Sequence, residues 1–415
     1  MVVGLDIGTS CIRVAIGDYD ENGVFRIFGT SSEKSVGLRN GNIVNIEAAS
    51  NTIRKAIENA EQNAGVEVAS CFVTIGGDQI EGLNATGKVA VSKKSKSQQE
   101  IGPDDIARVK ESATAVQMSL DREMLHVITQ EYIVDHIHGI KDPMHRLGVC
   151  LEASVHIITA SLTAIKNMGL CINRAGYSVD GVMLKTLAAT HTVVNDDESE
   201  LGSIVIDLGA GTTDFLVLVH GAPICTASIP LGGNIVTNDV AQVLGIGINE
   251  AERIKVESGS CWEENIDHRQ KVIINGVGGQ PPREILQSEL CQIIEPRMEE
   301  IFTMVINKIM EKTNVTQLSG NIILTGGGAR MNGIIELVQN VFQTSAVRIG
   351  TPERLGGIEE DYSGPEWDSV IGLVKACKDN KVKKTKKNKK AGFSSGNKQS
   401  NSKENPVVKF LKSLF

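Results

Sequence analysis

The sequence predicts an α/β protein of two α/β halves, with a small α+β subdomain inserted in the first, a disordered linker and a C-terminal amphipathic helix. Three observations predict it. A strand–turn–strand motif with an aspartate before its turn occurs twice, as "GLDIGTSCIRVAIG" around Asp6 and "VIDLGAGTTDFLVL" around Asp207. Apolar strand-like runs alternate with amphipathic helical runs along the body, the pattern of a layered α/β domain. The texture changes from Gly76 to about Ala160, where a polar loop and a helix start precede two long strand-like runs.

Taken in order, "VVGLDIG" and "CIRVAIG" read as two strands around a turn, and "IEAASNTIRKAIENAEQNAG" as an amphipathic helix ended by Gly65. "CFVTIGG" is a buried strand. In "KVAVSKKSKSQQEIGPDDI" a polar loop leads to a helix, with Pro103 in its first turn and Asp104 and Asp105 favouring its N-terminus. "EMLHVITQEYIVDHI" and "GVCLEASVHIITA" are the long strands of the insert. "VDGVMLKTLAATHTVV" reads as helix, "NDDESELG" as a surface loop, and "SIVIDLGAGTTDFLVLV" as strand, turn, strand. Two helices follow within "NIVTNDVAQVLGIGINEAERIKVESG", then a long one over about Arg283 to Lys312. "NIILTGGGARMNGIIELVQNVF" is strand, glycine turn and a helix from near Met331. From Lys378 to about Lys403 the composition is that of a disordered linker.

The chain has 415 residues, 41% hydrophobic and 22% charged, enough for two or three domains. Aromatics make up only 4%, which disfavours base-stacking nucleic-acid modules. The net charge of −8 conceals an asymmetry: between Lys378 and Lys412 twelve lysines face only Asp379 and Glu404, leaving +10 there and −18 on the remainder. An acidic body argues against nucleic acid as its partner, and the basic tail needs a negative surface or no partner at all. The eight cysteines form no CxxC pair and read as reduced thiols, mostly in the core. The start "MVVGLDIG" has neither the basic region nor the apolar stretch of a signal peptide or anchor.

The repeated hairpin suits a phosphate. Gly8, Gly209 and Gly211 allow turns whose N–H groups converge on phosphate oxygens, with Ala210 in the second turn. Thr9, Ser10, Thr212 and Thr213 add hydroxyl donors. An aspartate beside such a turn repels bare phosphate; Asp6 and Asp207 make sense as anchors for Mg2+, held mostly through waters. In "ILTGGGARMNG", Gly326, Gly327 and Gly328 bring backbone close to a ligand at a helix start.

These three elements, in this order, resemble the actin-like ATPase superfamily: two phosphate hairpins and an adenosine turn. Its two connecting helices resemble "DGVMLKTLAAT" and "PEWDSVIGLV". The insert, with "IEPRMEEIF" and the terminal segment, is similar to the FtsA family of bacterial cell-division proteins. The resemblance spans residues 1 to 375 and the last dozen. It implies subdomain IA at 1–78, completed by 162–196 and 366–377, the inserted IC at 79–161, IIA at 197–224 completed by 301–365, and IIB at 225–300. A basic linker at 378–403 and a membrane-targeting helix at 404–415 complete the chain. It also implies ATP with Mg2+ between the halves, self-association into filaments, binding of FtsZ and of other division proteins, and a place on the inner face of the membrane at the division site.

The departures are informative. Many relatives carry lysine after the "GTS" turn; here it is Cys11, and Arg13, two residues on, is placed to supply the cation. Lys185 stands where hydrolytic relatives often have Glu or Gln to position water, so ATPase activity is expected to be weak or nil. "DPMHRLGVCLE" differs from the family's usual loop. Glu252 and Lys255 share a helix face that in the superfamily borders the adenosine, and Arg330 follows its turn. Arg297 is assigned by resemblance to the FtsZ-docking surface.

The final "NPVVKFLKSLF" is the other functional segment. On a helix, Val407, Val408, Phe410, Leu411, Leu414 and Phe415 fill an arc of roughly 160°, with Lys409, Lys412 and Ser413 opposite. Asn405 suits an N-cap and Pro406 the first turn. Such a segment lies on an anionic membrane surface. Partial burial of side chains worth up to ~1.5–3 kcal/mol each, plus ~1 kcal/mol per lysine, is set against an ordering cost of ~10–20 kcal/mol. Single tails therefore bind weakly, and filaments bind by many tails. Two other readings of the fold are a pilus-assembly-type adaptor, which lacks such a tail, and a small-molecule kinase, for which no catalytic base stands out.

Overall fold

The computed structural model describes residues 1–91, 99–276, 281–313 and 320–378. The basic linker and the terminal helix expected from sequence lie outside the described residues from 379 onward.

Two five-stranded sheets share one topology. In the first, Phe25–Lys34, Cys11–Tyr19 and Val2–Ile7 form an antiparallel meander, extended by Ser70–Ile75 and Ser178–Leu184 in parallel. In the second, Ala222–Ile229, Thr213–Val219 and Ser203–Leu208 form the meander, extended by Ile322–Thr325 and Val347–Ile349 in parallel. The repeated motif is thus the inner hairpin of each sheet. Both inner strands are buried on both faces, as parallel pairing with helices on each side demands.

The helix Ile46–Ala64 covers the first sheet. Asn45 accepts from Ala48 N at its start, and Gly65, at φ 65°, closes it. Its buried stripe is Ala49, Ile53, Ala56, Ile57 and Ala60. Truncating Ile57, which is fully buried, would cost about 2–5 kcal/mol. In the second half the long helix Gln287–Lys312 buries Leu290, Ile294, Met298, Ile301, Phe302 and Val305. Pro296 sits inside it.

The insert is a four-stranded sheet in the order Ile137–Ile140, Arg122–Val134, Cys150–Ser161, Ile80–Ala90, with the helix Pro103–Thr114 packed on it. It also touches the second half: His156 Nε2 lies 2.9 Å from Thr226 Oγ1, and Asn84 Nδ2 donates to Ile224 O at 2.8 Å.

Several local readings change. "VDGVMLKTLAATHTVV" is not one helix but the strand Ser178–Leu184 followed by the helix Lys185–Val193. Its apolar first part pairs in parallel with Ser70–Ile75, and a continuous apolar run does not by itself separate a buried strand from a helix. "NDDESELG" contains a short helix, Asp196–Leu201, closed by a capping box between Asn195 and Glu198. The long helix begins at Gln287, because Arg283–Leu286 pairs as a strand with Lys271–Ile274. A 3-10 turn over Gly327–Arg330 precedes the helix Ile334–Phe342, which therefore starts later than Met331.

Candidate functional site

A cleft of about 560 Å³ runs between the halves, lined by both hairpin turns and the glycine turn. In the first turn Gly8 N donates to Cys11 O at 3.1 Å; in the second Gly209 N donates to Thr212 O at 3.0 Å. The two loops meet: a Cβ on Gly211 would lie 2.8 Å from Thr9 Oγ1 and 2.7 Å from Asn40 Cα. Thr9 Oγ1 accepts from Gly41 N at 2.8 Å. Gly8, Thr9, Ser10, Gly209, Ala210, Gly211 and Thr212 all line the cleft. Thr213 is a correction. It is fully buried, its hydroxyl donates to Leu231 O at 2.8 Å, and it does not reach the cleft. Residues alternate faces along a strand, so the second threonine of the pair points inward.

Asp6 and Asp207 end equivalent strands and face each other, each 1% exposed. Thr74 Oγ1 donates to Asp6 Oδ1 at 2.5 Å, whereas Asp6 Oδ2 and both Asp207 oxygens lack a directed hydrogen bond. Lys185 Nζ stands between them, 3.1 Å from Asp207 Oδ2 and 3.7 Å from Asp6 Oδ2. The lysine is thus in the cleft and not on the surface. Burial would lower its pKa, but Asp207, Asp6 and Asp214 outweigh that and hold it raised. Orphan carboxylate oxygens of this kind fit a hydrated Mg2+; among the described residues no three acidic, histidine or cysteine groups converge to bind a metal directly.

Sequence reading missed Asp214. It crosses the cleft to accept from Gly77 N at 3.0 Å and also receives Thr212 Oγ1 at 3.2 Å. Burial and Asp207 push its pKa up to about 6. Its only sequence signal was its place directly after the paired threonines. Gly232 and Gly233 were missed as well: Gly233 N donates to Gly209 O at 2.9 Å, and Asn234 N to Ala210 O at 2.8 Å, so a helix start buttresses the second turn.

At the other end of the cleft, Gly326 has φ 82°, and a Cβ there would lie 2.3 Å from Asp207 Oδ1. Gly328 is similarly close to Leu208, while Gly327 opens onto free space. Arg330 lines the cleft and pairs with Glu366 at 2.7 Å. Glu252 and Lys255 line it too and bond to each other at 2.7 Å; Lys255 Nζ also donates to Thr237 Oγ1 at 2.8 Å and Gly233 O at 3.1 Å. Arg13 lies in the cleft with its guanidinium 5.8 Å from the Trp367 ring. Arg297 is elsewhere: it faces Asp239 of the helix Gly233–Leu244, with Nε–Oδ2 at 2.5 Å, and pairs with Glu300. The residues 407–415 named for the membrane lie outside the described residues.

Two topologically equivalent sheets, hairpin turns facing across a cleft, and helices crossing between the halves define a protein of the actin-like fold. Solved structures agree on the fold: the PilM–PilN type IV pilus biogenesis complex (TM-score 0.63, 15% identity, 90% of this chain and 97% of that one) and MreB5 of Spiroplasma citri bound to ADP (TM-score 0.52, 15% identity, 94% and 98%). Within the fold, "Cell division protein FtsA" matches residues 204–372, and "SHS2 domain inserted in FTSA" matches residues 77–159. The cell division protein FtsA of Borreliella burgdorferi is 40% identical over 389 residues, covering 92% of this chain and 93% of that protein. The chain belongs to the FtsA family of cell division proteins.

Proposed function

We propose that this chain is an ATP-binding division adaptor that assembles on the inner face of the cytoplasmic membrane at the division site, tethers FtsZ there and helps recruit later division proteins. The observation that carries the nucleotide part is the facing pair of matched turns, each flanked by a buried aspartate. ATP would place its phosphates between the turns, with the adenosine against Gly326–Gly328, Arg330 and the Glu252–Lys255 pair. Mg2+ would be held by Asp6 and Asp207 through its waters and would neutralise phosphate charge. Lys185 reaches into the cleft from the position where hydrolytic relatives often carry a water-orienting Glu or Gln, which supports weak hydrolysis or none. The actin-like fold supports self-association into filaments. Among the described residues no helix is long and apolar enough to cross a membrane, which fits attachment through the amphipathic tail.

Family membership favours this over the pilus-assembly and kinase readings. The test is co-flotation of the full chain with anionic vesicles and FtsZ, with and without ATP. Arg297→Glu is expected to lower FtsZ recruitment severalfold while ATP affinity is unchanged. Because Arg297 is paired with Asp239, the change also sets like charges together, so Asp239→Asn serves as the control for lost pairing alone. Equal recruitment by Arg297→Glu and parent removes Arg297 from the docking surface.

A further inference from the structure

We propose that Lys185 is a resident counter-cation of the cleft, set between Asp6 of one half and Asp207 of the other, which makes ATP binding in this chain only weakly dependent on magnesium. The inference rests on the reading of the cleft as a nucleotide site and specifies how that site is balanced electrically.

The geometry is particular. Lys185 is the first residue of its helix, directly after the buried strand end Leu184, so its backbone is fixed by both elements. Its stem runs along Gly76, where a Cβ would lie 3.3 Å from Lys185 Cβ and 3.6 Å from Cδ. The ammonium reaches the cleft floor with 19% of the side chain exposed and touches one carboxylate from each hairpin. Asp214 is the third acid facing this floor.

The other cations of the lining stand apart from the two hairpin acids, and Arg13 Nε has no hydrogen-bond partner among the described residues. Lys255 is held by Glu252, Thr237 and Gly233 O; Arg330 pairs with Glu366; Arg13 stacks toward Trp367. Lys185 alone among these stands between the two hairpin acids. With a neutral residue there, a polyphosphate entering beside Asp6 and Asp207 would meet uncompensated negative charge and need a divalent ion to enter. With the ammonium in place, much of that compensation is covalently tethered, and a hydrated divalent ion held by the same oxygens adds less to it. The lysine also offers N–H donors that phosphate oxygens accept directly.

The test is ATP affinity of the full chain by equilibrium titration in magnesium and in EDTA, for the parent, Lys185→Gln and Lys185→Arg. The parent is expected to change by no more than about threefold between the two conditions, a fraction of the tenfold that corresponds to 1.4 kcal/mol. Lys185→Gln should bind about tenfold or more weakly in EDTA and recover when magnesium is added, and Lys185→Arg should stay close to the parent. A thermal unfolding midpoint without ligand checks that each variant is folded. A parent that loses ATP tenfold or more in EDTA overturns the inference by itself, whatever the variants do, as does a Lys185→Gln protein with the parent's ratio. If the parent binds ATP in neither condition, the nucleotide reading fails and the counter-cation falls with it.

Discussion

At Gly326 and Gly327, neighbouring residues of one turn, a substitution should act in opposite ways. A side chain at Gly326 would strain a left-handed backbone and collide with Asp207, so Gly326→Ala should lower stability by about 1–3 kcal/mol, read as an earlier urea midpoint. Gly327→Trp should leave that midpoint in place, because nothing lies near its Cβ, yet fill the cleft and reduce ATP affinity at least tenfold. Tight ATP binding by Gly327→Trp would remove the turn from the adenosine site. Glu198 is a residue of a different kind. Burial would raise its pKa, but hydrogen bonds from Arg348, Asn321 and the Asn195 backbone overcome this and hold it at about 2, against an ordinary 4.5. The folded value lies below the unfolded one, so its stabilisation is complete above pH 4.5 and is lost as the pH falls toward 2. The amount is on the order of 2 kcal/mol, and Glu198→Gln should flatten the acid limb of a stability–pH curve between those values.

Helices and strands, one scale up, tie the parts of the molecule to one another. The helices Lys185–Val193 and 368–378 cross closely: a Cβ on Gly372 would lie 1.9 Å from Ala188 O and 3.4 Å from Ala189 Cα. Asp368, fully buried at the start of the second helix, accepts from Thr325 Oγ1 at 2.6 Å, which ties that helix to the strand leading into the glycine turn. The segment between the halves is pinned by Arg348, whose Nη2 bonds Glu198 at 2.6 Å while Asn321 bonds the other carboxylate oxygen. Gly372→Val is therefore expected to push the helices apart, costing about 1–3 kcal/mol in denaturant unfolding and weakening ATP binding at a distance. A Gly372→Val protein with parental stability would mean that the crossing has slack.

For the whole molecule, the prediction joins the acidic body to its basic tail. Deleting residues 405–415 should abolish sedimentation with anionic vesicles and leave the unfolding midpoint and ATP affinity unchanged. Phe410→Glu alone should do nearly the same, since it sets a carboxylate in the middle of the apolar arc and against anionic lipid. Replacing the lysines of 381–390 should have a smaller effect that fades at ~1 M salt, where screening acts over about 3 Å. A truncated chain that still sediments would place the membrane contact on the body.

The two hairpins and the glycine turn were legible in the sequence because each is local: an aspartate, glycines and small hydroxyls within a few residues of an apolar strand. The α/β alternation and the insert are legible for the same reason, being periodicities of short range. Ser178–Leu184 was not, since a run buried in a parallel sheet has no alternation to separate it from a helix. Nor was the inward turn of Thr213, decided by which face of its strand meets Leu231. Lys185, Asp214 and Gly77 belong to one site only because folding brings residues from distant parts of the chain within hydrogen-bonding distance. The charge balance of the cleft follows from that convergence of Asp6, Lys185 and Asp207, because electrostatic energy depends on distance through space and not on separation along the chain.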